Sequence, residues 1–244
     1  MSLLELEKVS KHFGGLQAVS GLSLQIEAGE ILGLIGPNGA GKTTAFNLIS
    51  GFLEPDAGAI RFRGRSLVGL KPHAICLLGL ARTFQIVRPF PHLSVAANVS
   101  VGALARHPRA REARERARAV VEQVGLAAKA ETPAGRLTLA ERKRLELARA
   151  LATEPTLLLL DEVMAGLTAT ETEAMVGLIR RINESGASVL LIEHNMRAVM
   201  SLSHRIAVLS FGEKIAEGAP AAVASQPRVI EAYLGEDYDR AAQA

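Results

Sequence analysis

Aromatic residues are scarce in this chain of 244 residues, 4% in all, with two tyrosines, seven phenylalanines and no tryptophan. Aliphatic side chains carry the apolar share instead, as expected of an α/β protein whose strands are buried on both faces. Cysteine is nearly absent, and the single Cys76 excludes an internal disulfide. Long apolar runs are missing too: Thr156–Leu160 and Val189–Ile192 are far too short to span a bilayer. The start Met1-Ser2-Leu3-Leu4-Glu5 does not read as a signal peptide, so a soluble, cytoplasmic chain is expected. There is no acidic surplus either. The net charge is +3, with 21 arginines against 7 lysines. A basic balance can mark a nucleic-acid binder, but these arginines are spread out and interleaved with glutamate. The densest run, Arg106 to Arg118, predicts a helix with Ala110, Ala113, Ala117, Val120 and Val124 on one face. Arg111/Glu115 and Glu112/Arg116 fall at i,i+4 on the other, the pattern of a solvated face.

What is present is concentrated in one stretch, Gly36-Pro37-Asn38-Gly39-Ala40-Gly41-Lys42-Thr43-Thr44. It follows the apolar run 31–35 and precedes a helix-like segment, 45–49. Strand, glycine loop and helix are the context that makes G-x-x-x-x-G-K-[ST] a P-loop. The glycines let the loop turn its N–H groups inward at phosphate oxygens, and the helix start adds the positive end of its dipole. Lys42 is then a point charge for the outer phosphates, and Thr43 a hydroxyl ligand for Mg²⁺. A chance match is expected in roughly half a percent of chains with this composition, before the strand and helix are demanded.

Before the loop, 3–10 and 18–26 read as half-exposed strands separated by a turn at Lys11-His12-Phe13-Gly14-Gly15. After it, a turn at 54–58 leads into an alternating strand, 59–65. Residues 80–85 read as a short strand ending at Gln85, and prolines bracket a helical section at about 91–135. From 138 the order is helix 139–152, strand 156–161, helix 171–184, strand 188–192, helix 196–203 and strand 205–210. A hairpin at 211–217 and a helical tail at 221–234 close the chain. The alternation predicts an α/β fold: a P-loop NTPase core with a mainly parallel sheet, an N-terminal antiparallel β subdomain and an inserted helical subdomain. The expected division is 1–90 with 153–244 as core and 91–152 as the helical part of a single domain.

Two further strands end in polar groups. Leu157-Leu158-Leu159-Leu160-Asp161-Glu162 is a buried strand finishing in two carboxylates, and ligands bind at such carboxyl ends. Asp161 is placed to reach a Mg²⁺ shell, and Glu162 to activate or orient the water attacking a γ-phosphate. Surface acids capping the next loop would explain Glu162 alone but not the apolar strand before the pair. Leu190-Leu191-Ile192-Glu193-His194 repeats the design. A lone histidine is more often structural; at the end of a buried strand, His194 is a candidate γ-phosphate contact.

In this order and approximate spacing, the P-loop, Gln85, the helix after 138, Leu160-Asp161-Glu162 and His194 resemble an ABC-type ATPase subunit over nearly the whole chain. The resemblance implies that Phe13 stacks on adenine, that Gln85 joins Mg²⁺ to the transporter contact, and that His194 is the switch histidine. Asp161 through Leu167, Arg82-Thr83-Phe84-Gln85 and Ile230 through Gly235 look like the ATP-binding subunits of branched-chain amino acid importers. Two departures stand out. Where the family usually reads L-S-G-G-Q, this chain has Leu137-Thr138-Leu139-Ala140-Glu141, and Thr168 stands where Asp or Asn is common. Thr138-x-x-Glu141 is also a capping box for the following helix. A carboxylate beside a phosphate is costly unless it is turned back to cap.

The resemblance therefore implies a subunit that binds and hydrolyses Mg·ATP, lies on the cytoplasmic face of the inner membrane and pairs head-to-tail with a second ATPase, a paralogue or itself. Transmembrane permease subunits and an external solute-binding protein complete the expected set of partners, and no nucleic acid is expected. A soluble ABC-type ATPase acting on nucleic acid or ribosomes is the alternative, although such proteins often carry two cassettes or a long coiled coil. A regulator that binds ATP without turnover is a third reading, against which Glu162 and His194 together argue.

Overall fold

The computed structural model describes residues 2–85 and 88–233. In chain order, β1 (Leu4–Phe13), β2 (Leu16–Ile26) and β3 (Ile31–Ile35) lead to α1 (Lys42–Ile49). Then come β4 (Ala57–Phe62), β5 (Arg65–Ser66), α2 (Pro72–Leu78) and β6 (Leu80–Arg82). The helices α3 (Val95–Ala103), α4 (Ala110–Gln123) and α5 (Leu139–Leu151) follow, the last two separated by 3₁₀ turns, and then β7 (Leu157–Asp161) and α6 (Ala169–Glu184). The chain continues through β8 (Ser188–Ile192), α7 (Met196–Leu202), β9 (Arg205–Ser210), β10 (Glu213–Gly218) and α8 (Pro220–Ala224), with further helical turns at 227–233. Two compact units result, Met1–Pro72 with Ser188–Ala244, and His73–Ala187.

In the first unit, β2-β1-β4-β5 form an antiparallel sheet. Alternation sets its faces: Leu22, Leu24 and Ile26 are buried, whereas Ser23 and Gln25 are exposed. A second set of strands centres on β3, flanked in parallel by β8 and β9, with β10 antiparallel on β9. All five residues of β3 and of β8 are buried, as the apolar runs Ile31–Ile35 and Val189–Ile192 require, and β8 also buries Ser188. Helix α7 packs closely on this layer. A Cβ at Gly33 would lie 2.8 Å from the Ser203 hydroxyl and 3.1 Å from Val199. Ile35, Val199, Ile206, Val208, Val223 and Val229 form a continuous apolar cluster there.

In the second unit β6 pairs in parallel with β7, and α3, α4 and α5 pack together, with Ala113, Ala117, Val120 and Val121 of α4 buried. Asn98 is wholly buried on α3 and bonds the backbone of Phe90, Leu93 and Ser94.

Several sequence expectations need correction. The first turn does not begin at Lys11. Asp56 accepts from the Lys11 ammonium at 2.7 Å and from the His12 amide at 2.6 Å, so β1 continues to Phe13 and only Gly14-Gly15 turn. The helix after the glycine loop starts at Lys42 rather than Ala45. Arg65 falls in the separate strand β5 rather than in β4, and the strand ending at Gln85 stops at Arg82. On α4, Ala110 is exposed. Arg111 and Glu115 pair at 3.0 Å, but Glu112 turns to Arg109 and Arg116 to Glu154. Helix α2 was not anticipated, because only Ile75 of its seven residues is buried and no apolar period marks it. Of the expected tail, Leu234 lies outside the described residues.

Candidate functional site

The glycine loop leaves the carboxyl end of β3 and closes on the start of α1. Two of its glycines are sterically required. Gly36 has φ 148°, and a Cβ there would sit 2.0 Å from the Leu209 carbonyl; Gly41 has φ 99°, and a Cβ would sit 2.4 Å from the Ala18 carbonyl. The β9–β10 turn braces the loop, since Gly212 donates to the Ala40 carbonyl at 3.1 Å and accepts from the Ser20 amide at 2.8 Å. Lys42 is buried, and its ammonium donates to the carbonyls of Gly36 at 2.6 Å and Pro37 at 2.8 Å, so it crosses back over the loop. Asn38, Gly39 and Thr43 are exposed, Pro37 and Thr44 partly so. The first amides of α1 have no intrahelical acceptor, which makes the turn a natural anion cradle.

His194 leaves the end of β8, which pairs with β3 from Ile31↔Val189 to Gly33↔Leu191. Its imidazole is therefore at the same edge of these strands as the glycine loop, and it is exposed. Phe13 closes β1, paired with Leu16, and is 47% exposed, with the Lys11 ammonium 5.9 Å from its ring centre. With that exposure the ring is not a core side chain.

In the second unit, β7 delivers the two carboxylates differently. Asp161 is buried and pairs with Arg82 of the neighbouring β6 at 2.8 Å. The Arg82 guanidinium also stacks 5.2 Å from the Phe84 ring centre. Glu162 has left the strand with φ 50°, a left-handed backbone uncommon for a side chain of its kind. Its carboxylate accepts from the Gln85 amide at 2.7 Å. Its carbonyl accepts from the Ala165 amide at 3.2 Å and from the Lys143 ammonium at 2.8 Å.

The segment 137–141 forms the start of α5. Thr138 and Glu141 make a full capping box. The Glu141 carboxylate bonds the Thr138 amide at 2.9 Å and the Lys129 ammonium at 2.5 Å, so it is turned back rather than outward. Hydrogen bonding from Lys129 holds its carboxyl below the ordinary range against a smaller opposing effect of burial. Leu137 and Ala140 are buried, while Leu139 is 47% exposed. Thr168 caps α6 in the same way, through Glu171.

The structure thus joins Gln85 to Glu162, and aligns the glycine loop with His194. Sequence reasoning did not single out Lys143 or the role of Arg82. Lys143 lies at helical spacing from Leu147 and Ala150, the apolar face of α5, which is the one signal its burial offers. Among the described residues no group of three or more His, Cys, Asp or Glu could hold a metal ion, and no helix is long and apolar enough to cross a membrane.

The sequence pattern of the ABC transporter family matches residues 19–165, and that of the branched-chain amino acid ATP-binding cassette transporters matches 213–239. The chain is 41% identical to the high-affinity branched-chain amino acid transport ATP-binding protein BraF of Pseudomonas aeruginosa, over 96% of this chain and 98% of that one. It is 40% identical to the corresponding protein LivG of Escherichia coli K12, over the same shares. An ATP-binding cassette of an ABC transporter, solved in its ADP conformation, superposes with a TM-score of 0.88 at 29% identity, covering 97% of this chain and all of the other.

Proposed function

Because the chain belongs to the ABC transporter family, as one of its ATP-binding, ATP-hydrolysing subunits, we propose that it powers an importer of branched-chain or related amino acids. The observation that carries the solute class is the match of residues 213–239 to the branched-chain cassettes, together with 41% identity to BraF.

Lys42 and the loop amides bind the outer phosphates, and Phe13 offers its ring to adenine. Glu162 takes the proton of the attacking water as general base, held until then by Gln85. His194 contacts the γ-phosphate. Thr43, Asp161 and Gln85 offer hard oxygen donors, which suits Mg²⁺, and the Arg82 pair engages Asp161 through Oδ2. Bound there, Mg²⁺ would supply charge neutralisation for the phosphates.

The α5 start, Leu137 to Glu141, faces the nucleotide of a second ATPase in a head-to-tail pair, a paralogue or a second copy. With Glu141 turned back onto its cap, the backbone amides of Leu139 and Ala140 take the place of a glycine-rich turn. Closure of that pair passes through the Gln85 segment to the permease. A solute-binding protein delivers the amino acid outside, and the chain works on the cytoplasmic face of the inner membrane.

The test is reconstitution of the chain in proteoliposomes with the permease subunits, the second ATPase and the binding protein encoded beside it. Labelled leucine should enter the vesicles in an ATP-dependent manner, and Lys42→Ala should abolish entry. ATP turnover with no import of any branched-chain amino acid would overturn the solute assignment and leave the ATPase intact.

A further inference from the structure

Lys143 is a charged residue 4% exposed, in the middle of a helix. Burying an ammonium is costly unless its donors are satisfied. Here they reach two backbone carbonyls on different segments, Glu162 at 2.8 Å and Gln85 at 3.3 Å. The two residues so held are the ones whose side chains bond each other at 2.7 Å. Glu162 also has the left-handed backbone, φ 50°. Such a conformation is costly for a residue with a Cβ and persists only where the surroundings fix it.

The rest of the same helix face continues the pattern. Residues 143, 146 and 149 lie three apart and share a face. Glu146 is buried, accepts from the Phe84 amide and pairs with Arg149 at 3.1 Å. Arg149 donates to the Arg88 carbonyl at 3.2 Å and stacks 5.5 Å from the Phe90 ring centre. One row of α5 thus holds the backbone on both sides of Gln85, and its first member also reaches Glu162.

We propose that Lys143 is a positioning residue for ATP hydrolysis: its buried ammonium ties the carbonyls of Gln85 and Glu162 to α5 and thereby fixes the strained backbone that aims the Glu162 carboxylate. This rests on Glu162 activating the attacking water. Lys143 itself touches neither nucleotide nor water in this scheme, so its removal lowers turnover while nucleotide affinity is kept. A misplacement of about 1 Å in such a group costs on the order of 10²-fold in rate.

The experiment measures steady-state ATP hydrolysis by the purified full-length chain, with kcat and KM separated, for Lys143→Met, Lys143→Arg, Glu162→Gln and the double variant Lys143→Met/Glu162→Gln. Lys143→Met should lose about 10- to 100-fold in kcat with KM within about twofold of wild type. Lys143→Arg, which keeps charged donors, should regain most of that loss. The double variant should be no slower than Glu162→Gln alone, because the two residues act through one carboxylate. An unchanged kcat in Lys143→Met beside an inactive Glu162→Gln overturns the positioning role alone, and so do losses that multiply in the double variant. A wild-type rate in Glu162→Gln instead removes the base on which the proposal rests. Should Lys143→Met fail to fold, Lys143→Gln carries the same comparison with the same expected outcomes.

Discussion

Gln85 and Glu162, 77 positions apart in sequence, are joined by a hydrogen bond of 2.7 Å from the amide Nε2 to the carboxylate Oε2. That bond occupies one acceptor position of the carboxylate and restrains its direction. Gln85 therefore restrains the carboxylate of Glu162, while Lys143 bonds the backbone carbonyls of both residues.

The first expected outcome concerns chemistry. Glu162→Gln keeps the size of the side chain and a hydrogen-bond acceptor, but loses the basic carboxylate. Hydrolysis should fall by ~10²–10⁴-fold while ATP still binds. Phosphate release and nucleotide binding measured on the same preparation separate the two effects. A rate equal to wild type would move the base elsewhere, with His194 the residue to examine next.

Lys42→Ala should weaken ATP binding severely, because it removes the side-chain charge nearest the phosphates while the glycine geometry stays. Lys42→Arg should rescue only in part, since a planar guanidinium cannot copy the compact ammonium that fits between the Gly36 and Pro37 carbonyls. Titration with a fluorescent ATP analogue reads the loss. Near-normal affinity in the folded alanine variant would contradict the role given to this loop.

Phe13→Ala should lower affinity for ATP and GTP to a similar extent, because stacking is tolerant of the base. With the ring 47% exposed, little core is lost, so the thermal midpoint should hardly move. A drop in stability with unchanged affinity is the opposite result, and it would make the ring structural.

Two glutamates on α5 should respond to pH with opposite sign. Hydrogen bonding from Lys129 holds the Glu141 carboxyl below its ordinary value. Its contribution to stability is present above the unfolded-state value and is lost as pH falls through the lower folded one. Burial pushes the Glu146 carboxyl up, against the pull of Arg149. For this group, stability declines as pH rises from the unfolded value through the raised folded one. Thermal midpoints of wild type, Glu141→Gln and Glu146→Gln across mildly acidic pH should therefore diverge in opposite directions. Parallel curves would mean that neither carboxyl is shifted as its surroundings require.

The parts legible in the sequence are those fixed by local pattern. β8 and β9 fall where the apolar runs Val189–Ile192 and Ile206–Leu209 place them, 188–192 and 205–210, because burial on both faces favours such runs. The cap of α5 was equally local, since Thr138 and Glu141 satisfy each other. The illegible parts depend on partners distant in sequence. The end of β1 is set by Asp56, 45 positions beyond Lys11. Arg82 reads as one arginine among 21 until β6 and β7 pair and bring it to Asp161. Lys143 reads as part of a basic helix until Gln85 and Glu162 both present carbonyls to it.

The self-contained wiring of Lys42 has a consequence for how nucleotide binding is driven. Its ammonium donates to carbonyls of the loop itself. Arriving phosphates compete with Gly36 and Pro37 for a donor that is already engaged. Affinity is then the margin of an exchange, in which one set of oxygens replaces another around a fixed cation. Product can therefore leave a loop that returns to the same coordination, and each turnover starts from an unchanged scaffold.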